Sequence, residues 1–338
     1  MWCALDDALP IYGVYALLFA STGLDTGQIA TLFVVWSATV VALELPSGAL
    51  ADRFSARSAL VASGLLRAAG FGLWVVAPGY TAFLAGFVLW GAASALSSGA
   101  YESLVYDAMD SHGVADRYVR VMGRADAANL VAQVAGIAAA APLMLLGGYA
   151  LVGAISVGIC LTGTLVAVGF PPGRARMEPV GYLSLLHSGV REALASRDLR
   201  RLVVAVAVLE GLAALDEFVP LAARDLGAAT PVIPVVVASL PLAAALGALL
   251  AGRRRASLRW AGVAILLLTV PTVVAAVQGA LLVGPLFVLW YGLSQHCRVL
   301  ADAGIQHQVR GPARATVTSV AGLGSELMAI LVFAAVAL

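Results

Sequence analysis

Lysine is absent from the 338 residues, and charged residues of all kinds make up only 12% of the chain. Soluble domains carry about 25% charged residues. The three cysteines, Cys3, Cys160 and Cys297, are scattered and form no C-x-x-C pair, so we expect neither a disulfide framework nor a metal site. A G-x-x-x-x-G-K-[ST] motif is also missing, so we expect no cofactor and no ATP-driven step. The net charge of +1 does not suggest a nucleic-acid partner.

Apolar residues fill the chain instead, at 61% of all positions. A helix needs about 20 mostly apolar residues to cross a bilayer, and about eleven stretches meet that length. They are too long and continuous for barrel strands, which alternate. The sequence therefore predicts an all-α polytopic membrane protein of about eleven transmembrane helices. The predicted spans are 4–22, 26–50, 57–77, 80–106, 118–141, 145–170, 199–223, 230–251, 259–277, 281–304 and 313–337.

The arginines predict the orientation of these spans. With the first terminus in the cytoplasm, nearly all loop arginines fall on the inner side and only Arg224 falls outside. The longest connection, 171–198, is basic and has an apolar residue every fourth position, which indicates an amphipathic helix on the inner membrane surface. We therefore expect a six-helix bundle (1–170), a cytoplasmic linker (171–198) and a five-helix bundle (199–338).

Glu44 and Arg67 lie about equally far from the turn between the second and third spans, so antiparallel helices place them at the same depth. Charges inside the membrane are costly unless they are paired or hydrated. Three interpretations remain open. The two residues form a static buried salt bridge, they form a state-dependent pair lining a polar cavity, or they point in different directions.

The turn between the same two spans reads "GALADRFSAR". It resembles the G-x-L-x-D-R-x-G-R-R signature that joins helices two and three of the major facilitator superfamily. Ser55 and Ala56 depart from that signature. The start of the eleventh span, "GPARAT", also looks like many bacterial members. The positions that match the signature are Gly48, Leu50, Asp52, Arg53 and Arg57.

This resemblance implies two helical bundles that alternate in their access to the two sides of the membrane. It implies a gate in which Gly48, Asp52, Arg53 and Arg57 act together with Arg314 of the eleventh span. A glycine allows close helix approach, and a carboxylate is stabilised at the positive end of a helix. The family usually has twelve helices, so the eleven predicted spans leave the twelfth missing.

Further charges lie within the predicted spans. Glu102 is expected to pair with Arg120 or Arg124 at the foot of the fifth span. Arg298 and Asp302 are spaced for an intrahelical pair, and Glu326 is a second candidate partner of Arg298.

The seventh span carries Glu210, Asp216 and Glu217 without a base, and the spacing of Glu210 and Glu217 puts them on one face of a straight helix. Two interpretations are open. The acids line a water-filled path for substrate or protons, or the helix is short and Asp216 and Glu217 lie among the lipid headgroups on the outer side. Because acids outnumber bases inside the spans, the interior favours protons and cations over anions.

Together these features predict a secondary active transporter in the cell membrane that moves a small organic solute, cationic or amphipathic, outward and coupled to protons. The proposed pathway residues are Glu44, Arg67, Glu102, Glu210, Asp216, Glu217 and Glu326. We expect a monomer in the lipid bilayer that acts on a small-molecule substrate. The alternatives are a membrane-embedded enzyme, with His112, His187, His296 and His307 as its candidates, or a transport-inactive scaffold or sensor.

Overall fold

The computed structural model describes residues 1–53, 55–98, 100–171, 190–192, 196–252, 257–309 and 313–338. Within these ranges only the backbone is described for 44–53, 119 and 313–316. Most of the predicted linker therefore lies outside the described residues. The chain divides into two compact units, Met1–Pro179 and Val180–Leu338, and each is considered by itself.

Unit 1 consists of helices joined by short turns. Two 3-10 turns, Pro10–Gly13 and Ala115–Arg117, interrupt them. The helices are α1 (Trp2–Asp6), α2 (Tyr15–Ser21), α3 (Thr26–Arg53), α4 (Ala56–Val76), α5 (Tyr80–Ser97), α6 (Ala100–Ser111) and α7 (Tyr118–Val168).

The long helix α7 contains the fifth and sixth predicted spans. Its backbone leaves the helical region at Gly147 and Gly148, and Gly148 has φ 58° and ψ −156°. This conformation is open to glycine at little cost and strained for other residues. The two spans are therefore joined at the glycine pair, while Pro142, which lies between the predicted boundaries, remains inside the helix.

Unit 2 is also helical, with one 3-10 turn at Ala214–Phe218. Its helices are α8 (Arg197–Ala213), α9 (Val219–Asp225), α10 (Ile233–Ala251), α11 (Leu258–Val277), α12 (Val283–Gln308) and α13 (Ala313–Ala337).

The predicted fold class is confirmed, because the described residues are helical throughout and contain no strand. Seven segments of the described chain are long and apolar enough to cross a membrane: Thr26–Leu43, Ala56–Val76, Tyr80–Ser111, Ala115–Val168, Ile233–Ala251, Leu258–Val277 and Val317–Ala337.

An aromatic cluster packs the interior of unit 1. Phe19, Phe71 and Phe83 are almost fully buried around Trp74, with ring centroids 4.2 Å apart for Phe19 and Phe83 and 5.0 Å apart for Phe19 and Trp74. The Trp74 indole N–H donates to the carbonyl oxygen of Phe83 at 3.1 Å. Helices in lipid associate through such close packing rather than through a hydrophobic driving force, so this cluster holds α2, α4 and α5 together.

The first span is broken, although the sequence predicts a continuous helix over 4–22. Pro10 has no N–H to donate to the carbonyl of Asp6, four residues earlier, and in a continuous helix its ring would clash with that carbonyl. α1 therefore ends at Asp6. The backbone N–H of Ile11 donates instead to Ser156 Oγ at 3.1 Å. The break is thus supported by a specific side chain, as unpaired backbone groups inside a membrane require.

The break also depends on a glycine of α7. A Cβ at Gly136 would lie 2.5 Å from the carbonyl carbon of Ala8 and 2.9 Å from the nitrogen of Leu9. These are backbone atoms of the broken segment and cannot move aside as a flexible side chain can. Gly136 therefore lets α7 approach the gap.

We expect Gly136→Val to lower the stability of unit 1 by roughly 1–3 kcal/mol, the usual cost of overpacking. The measurement is the thermal unfolding midpoint of the purified chain in detergent, followed by gel filtration. Gly158→Ala is the matched control on the same helix, because a Cβ there meets nothing within 4 Å, and alanine favours a helix interior. Equal midpoints for the two variants contradict the close approach.

Candidate functional site

Arg67 of α4 lies at the end of α1, inside unit 1. Its Nη1 is 3.0 Å from Asp6 Oδ1 and 2.6 Å from the carbonyl oxygen of Asp6, while Nη2 donates to Asp6 Oδ2 at 3.3 Å. The Arg67 side chain is 6% exposed and that of Asp6 is 28% exposed. The guanidinium of Arg67 thus neutralises the Asp6 carboxylate and also donates to the Asp6 carbonyl, which has lost its helical hydrogen bond because of Pro10. Charge-assisted bonds of this kind are among the stronger ones in proteins.

The sequence predicts Glu44 as the partner of Arg67, but the side chain of Glu44 lies outside the described residues. That pairing remains a prediction. Asp6 was overlooked in the sequence, although it falls inside the first predicted span.

The next acid, Asp7, faces a different helix. Its Oδ2 accepts a hydrogen bond from Asn129 Nδ2 of α7 at 3.0 Å. This partner is neutral, and Asp7 forms no ion pair with any described residue. Unit 1 therefore carries two carboxylates at its helix break and one arginine beside them.

Arg298 of α12 is the corresponding charged centre of unit 2. It forms ion pairs with Glu210 of α8 and with Asp302, the latter at 3.1 Å, and its Nε also donates to Gln295 Oε1 at 2.8 Å. The expected pair of Arg298 and Asp302 is present. The described partners of Arg298 do not include Glu326, which lies half-buried on α13.

The 3-10 turn after α8 holds the other two acids of the seventh span. The Tyr291 hydroxyl of α12 donates to Asp216 Oδ2 at 3.1 Å. Glu217 is half-buried and forms neither a hydrogen bond nor an ion pair with a described side chain. α8 ends at Ala213 and a 3-10 turn follows, so Glu210 and Glu217 do not belong to one straight α-helix. Their position on a shared face remains a prediction.

Glu102 does not form the expected pair. It is exposed on α6 and, within the described part of the chain, it makes no ion pair with Arg120 or Arg124, which are also exposed.

Most of the predicted gate cannot be placed by its side chains. The backbones of Gly48, Asp52 and Arg53 belong to α3, and that of Arg314 belongs to α13, but their side chains lie outside the described residues. Arg57 is described, and its Nη1 donates to the carbonyl oxygen of Phe170 at 3.4 Å.

Ser55 stands where the family signature has glycine, and the structure gives it a role. Its side-chain oxygen accepts the backbone N–H of Ser58 at 3.2 Å. Ser55 is therefore the N-cap of α4, a position for which serine is among the preferred residues.

A repeated motif links the two helix breaks. Residues 4–11 read ALDDALPI and residues 214–221 read ALDEFVPL, so each copy has two adjacent acids followed by a proline three positions after the second acid. A second repeat, FVLW, occurs at 87–90 in α5 and at 287–290 in α12. A comparison of the two halves of the sequence would have revealed both, and with them Asp6 and Asp7.

We expect Arg67→Met to destabilise the chain by roughly 3–5 kcal/mol, because it leaves a partly buried carboxylate without its partner. The double variant Arg67→Met with Asp6→Asn should recover part of that loss. Thermal midpoints in detergent measure both. Arg201→Met is the control, because its ion pair with Asp198 is about three-quarters exposed on both sides and such pairs contribute little. A double variant as unstable as the sum of its single variants contradicts a direct interaction.

Solved structures of transporters have the same fold. A variant of the nucleoside transporter NupG superposes with a TM-score of 0.80 at 10% identity, covering 98% of this chain and 88% of that one. A bacterial homologue of the human lysosomal transporter Spinster, in an inward-facing and unoccupied conformation, gives 0.73 at 18% identity, with 97% and 77% covered. A D-xylose–proton symporter gives 0.68 at 14% identity, with 98% and 86% covered.

At these identities the likeness shows the fold. No curated protein sequence matches the chain. The sequence model of the Major Facilitator Superfamily matches residues 3–333. That range contains both helix breaks, the ion-paired Arg67 and Arg298, and the loop between α3 and α4. The chain therefore belongs to the Major Facilitator Superfamily and is a multi-pass membrane protein with the transporter fold.

Proposed function

We propose that the chain is a secondary active transporter that exports a small cationic or amphipathic organic solute and couples its movement to protons. It works as a monomer in the cell membrane, with its N-terminus in the cytoplasm, by alternating access. The observation that carries this proposal is the pair of acid-bearing helix breaks, one in each unit. Ionisable groups inside a membrane are expensive, and they mark substrate and proton pathways.

The balance of charge supports proton or cation coupling. At the unit 1 break, Asp6 and Asp7 face the single charge of Arg67. In unit 2, Arg298 is paired with Glu210 and Asp302, which leaves Asp216 and Glu217 without a basic partner among the described side chains. A carboxylate in a low-dielectric site binds a proton more readily than one in water, so the remaining negative charge suits a carrier of protons or cations.

Among the structural relatives, the D-xylose–proton symporter is named for proton coupling, and this favours the same energy source here. The pathway we propose contains Asp6 and Asp7 in addition to the residues expected from the sequence. Those residues are Glu44, Arg67, Glu102, Glu210, Asp216, Glu217 and Glu326.

The gate of the transporter is proposed from the family resemblance. It consists of Gly48, Asp52, Arg53, Arg57 and Arg314. The contact of Arg57 with the carbonyl of Phe170 ties the start of α4 to the end of α7, which suits a residue that holds the inner ends of helices in register.

The coupling is tested in everted membrane vesicles that carry a pH-sensitive dye. A panel of toxic organic cations and amphiphiles is first screened for compounds to which expression of the chain gives resistance. We expect such a compound to drive a pH change in the vesicles, and we expect Asp216→Asn to reduce that change about tenfold, the effect of roughly 1.4 kcal/mol. Asp225→Asn is the control, because Asp225 is exposed and paired with the adjacent Arg224.

Solute movement without any pH change contradicts proton coupling. Hydrolysis of an added compound without any flux favours the membrane-embedded enzyme. Neither flux nor hydrolysis, in a chain that folds and reaches the membrane, favours the transport-inactive scaffold.

A second experiment addresses the gate and the inner pathway. We expect Asp52→Ala and Glu44→Gln each to lower resistance in the same screen and to lower solute uptake by everted vesicles. One variant removes the acid of the gate motif, and the other removes a carboxylate within the second span. Asp110→Asn, an exposed acid of α6, should behave as the unchanged chain. Full resistance in both test variants, at equal expression, contradicts the roles assigned to Asp52 and Glu44.

A further inference from the structure

The two acids of each motif copy have different surroundings. The first acid is held by another helix: Asp6 binds Arg67 of α4, and Asp216 accepts the hydroxyl of Tyr291 of α12. The second acid has no basic partner among the described side chains, since Asp7 accepts only the amide of Asn129 and Glu217 makes no contact of this kind. The same division in both units indicates that the first acid fixes the helix break and that the second is available to a ligand.

Half-buried aromatic rings accompany the second acid in unit 1. Tyr12 lies close enough to Asp7 for the two to interact electrostatically. Its ring stacks on that of Trp90, with centroids 5.3 Å apart and planes 15° from parallel. Trp36 adjoins Trp90 at 5.5 Å, and its indole N–H is buried without a hydrogen-bond partner in the described part of the chain. A carboxylate and a stack of half-buried aromatic rings therefore occur together.

Unit 2 repeats this combination. Tyr291 lies within electrostatic range of Glu217. The ring centroids of Tyr291 and Phe287 are 6.2 Å apart. Both rings are half-buried. Trp290, which corresponds to Trp90 in the FVLW repeat, stacks on Phe287 at 5.7 Å and donates its N–H to Thr269 Oγ1 at 3.0 Å.

The chemistry of these groups selects one class of ligand. Ring faces attract cations, and the attraction grows when water is excluded. A carboxylate at membrane depth without a basic partner is stabilised by a positive charge. An anion is repelled by both the carboxylate and the ring faces, and a small hydrated metal ion gains little from the rings. An apolar organic cation satisfies the carboxylate and the aromatic surface together.

We propose that each unit has its own binding site for an organic cation. In unit 1, Asp7 binds the positively charged group, and Tyr12 and Trp90 receive the apolar part. In unit 2, considered by itself, Glu217 binds the positively charged group, and Phe287 and Tyr291 receive the apolar part. Asp6 and Asp216 are positioning residues that hold the broken helices. This inference rests on the proposed function and deepens it, because it names the substrate class and the residues that recognise it.

The test measures binding of radiolabelled tetraphenylphosphonium to the purified full chain in lipid nanodiscs by equilibrium dialysis. Tetraphenylborate, which has nearly the same shape and the opposite charge, is the matched probe. We expect the phosphonium to bind and the borate not to bind. We expect Asp7→Asn and Glu217→Gln each to weaken phosphonium binding about tenfold, and Asp7→Glu, which keeps the charge, to restore most of it.

Trp90→Leu tests the aromatic part, and it should weaken phosphonium binding without creating binding of borate. Asp110→Asn and Asp225→Asn are exposed-acid controls that should bind as the unchanged chain does. Gel filtration and thermal midpoints of every variant separate weak binding from misfolding, and only variants that elute as the unchanged chain does are compared.

Equal binding of phosphonium and borate overturns the proposal. So does unchanged phosphonium affinity in both Asp7→Asn and Glu217→Gln, and so does the absence of phosphonium binding by the unchanged chain. If the vesicle assay still shows proton-coupled movement of another solute in any of these cases, the transport function stands and the organic-cation assignment alone fails.

Discussion

A proline three positions after an acidic pair determines how the first helix of each unit is built. Pro10 removes the helical hydrogen bond of the Asp6 carbonyl, and Arg67 supplies a donor in its place. Inside a membrane the freed carbonyl and the carboxylate would both be costly, so one buried guanidinium makes the break tolerable. The position of Asp6 at the end of α1 depends on this substitution of a side chain for a backbone donor.

The two units reach a similar arrangement with different parts. In unit 1 the first acid is held by a cation, Arg67, whereas in unit 2 Asp216 is held by a neutral hydroxyl and the cation, Arg298, binds Glu210 and Asp302 instead. The shared features are the broken helix and a second acid without a basic partner among the described side chains. The first acid is held by an opposite charge in unit 1 and by a neutral donor in unit 2.

Hydrophobic length was sufficient to predict an all-helical membrane protein, because each span must satisfy its own backbone. The breaks were not predicted, because a proline alone does not end a helix: Pro142 and Pro241 remain inside helices. The acidic pair before Pro10 and Pro220 does not by itself show which groups satisfy the freed backbone. What distinguishes the two kinds is tertiary: Ser156 and Arg67 satisfy the groups that Pro10 frees. The sequence also did not determine the partner of Arg67. Several acids are expected at a similar depth in the membrane, and depth alone does not select one of them.

The long helix α7 contacts the first break from both sides of its own bend. Gly136, before the bend at Gly148, lies against Ala8 and Leu9, and Ser156, after the bend, binds the N–H of Ile11. One continuous helix thus contacts the gap between α1 and α2 at two places, with a glycine bend between them. A change in the bend angle at Gly148 would therefore be expected to change the width of the gap, even though Gly148 contacts neither aspartate.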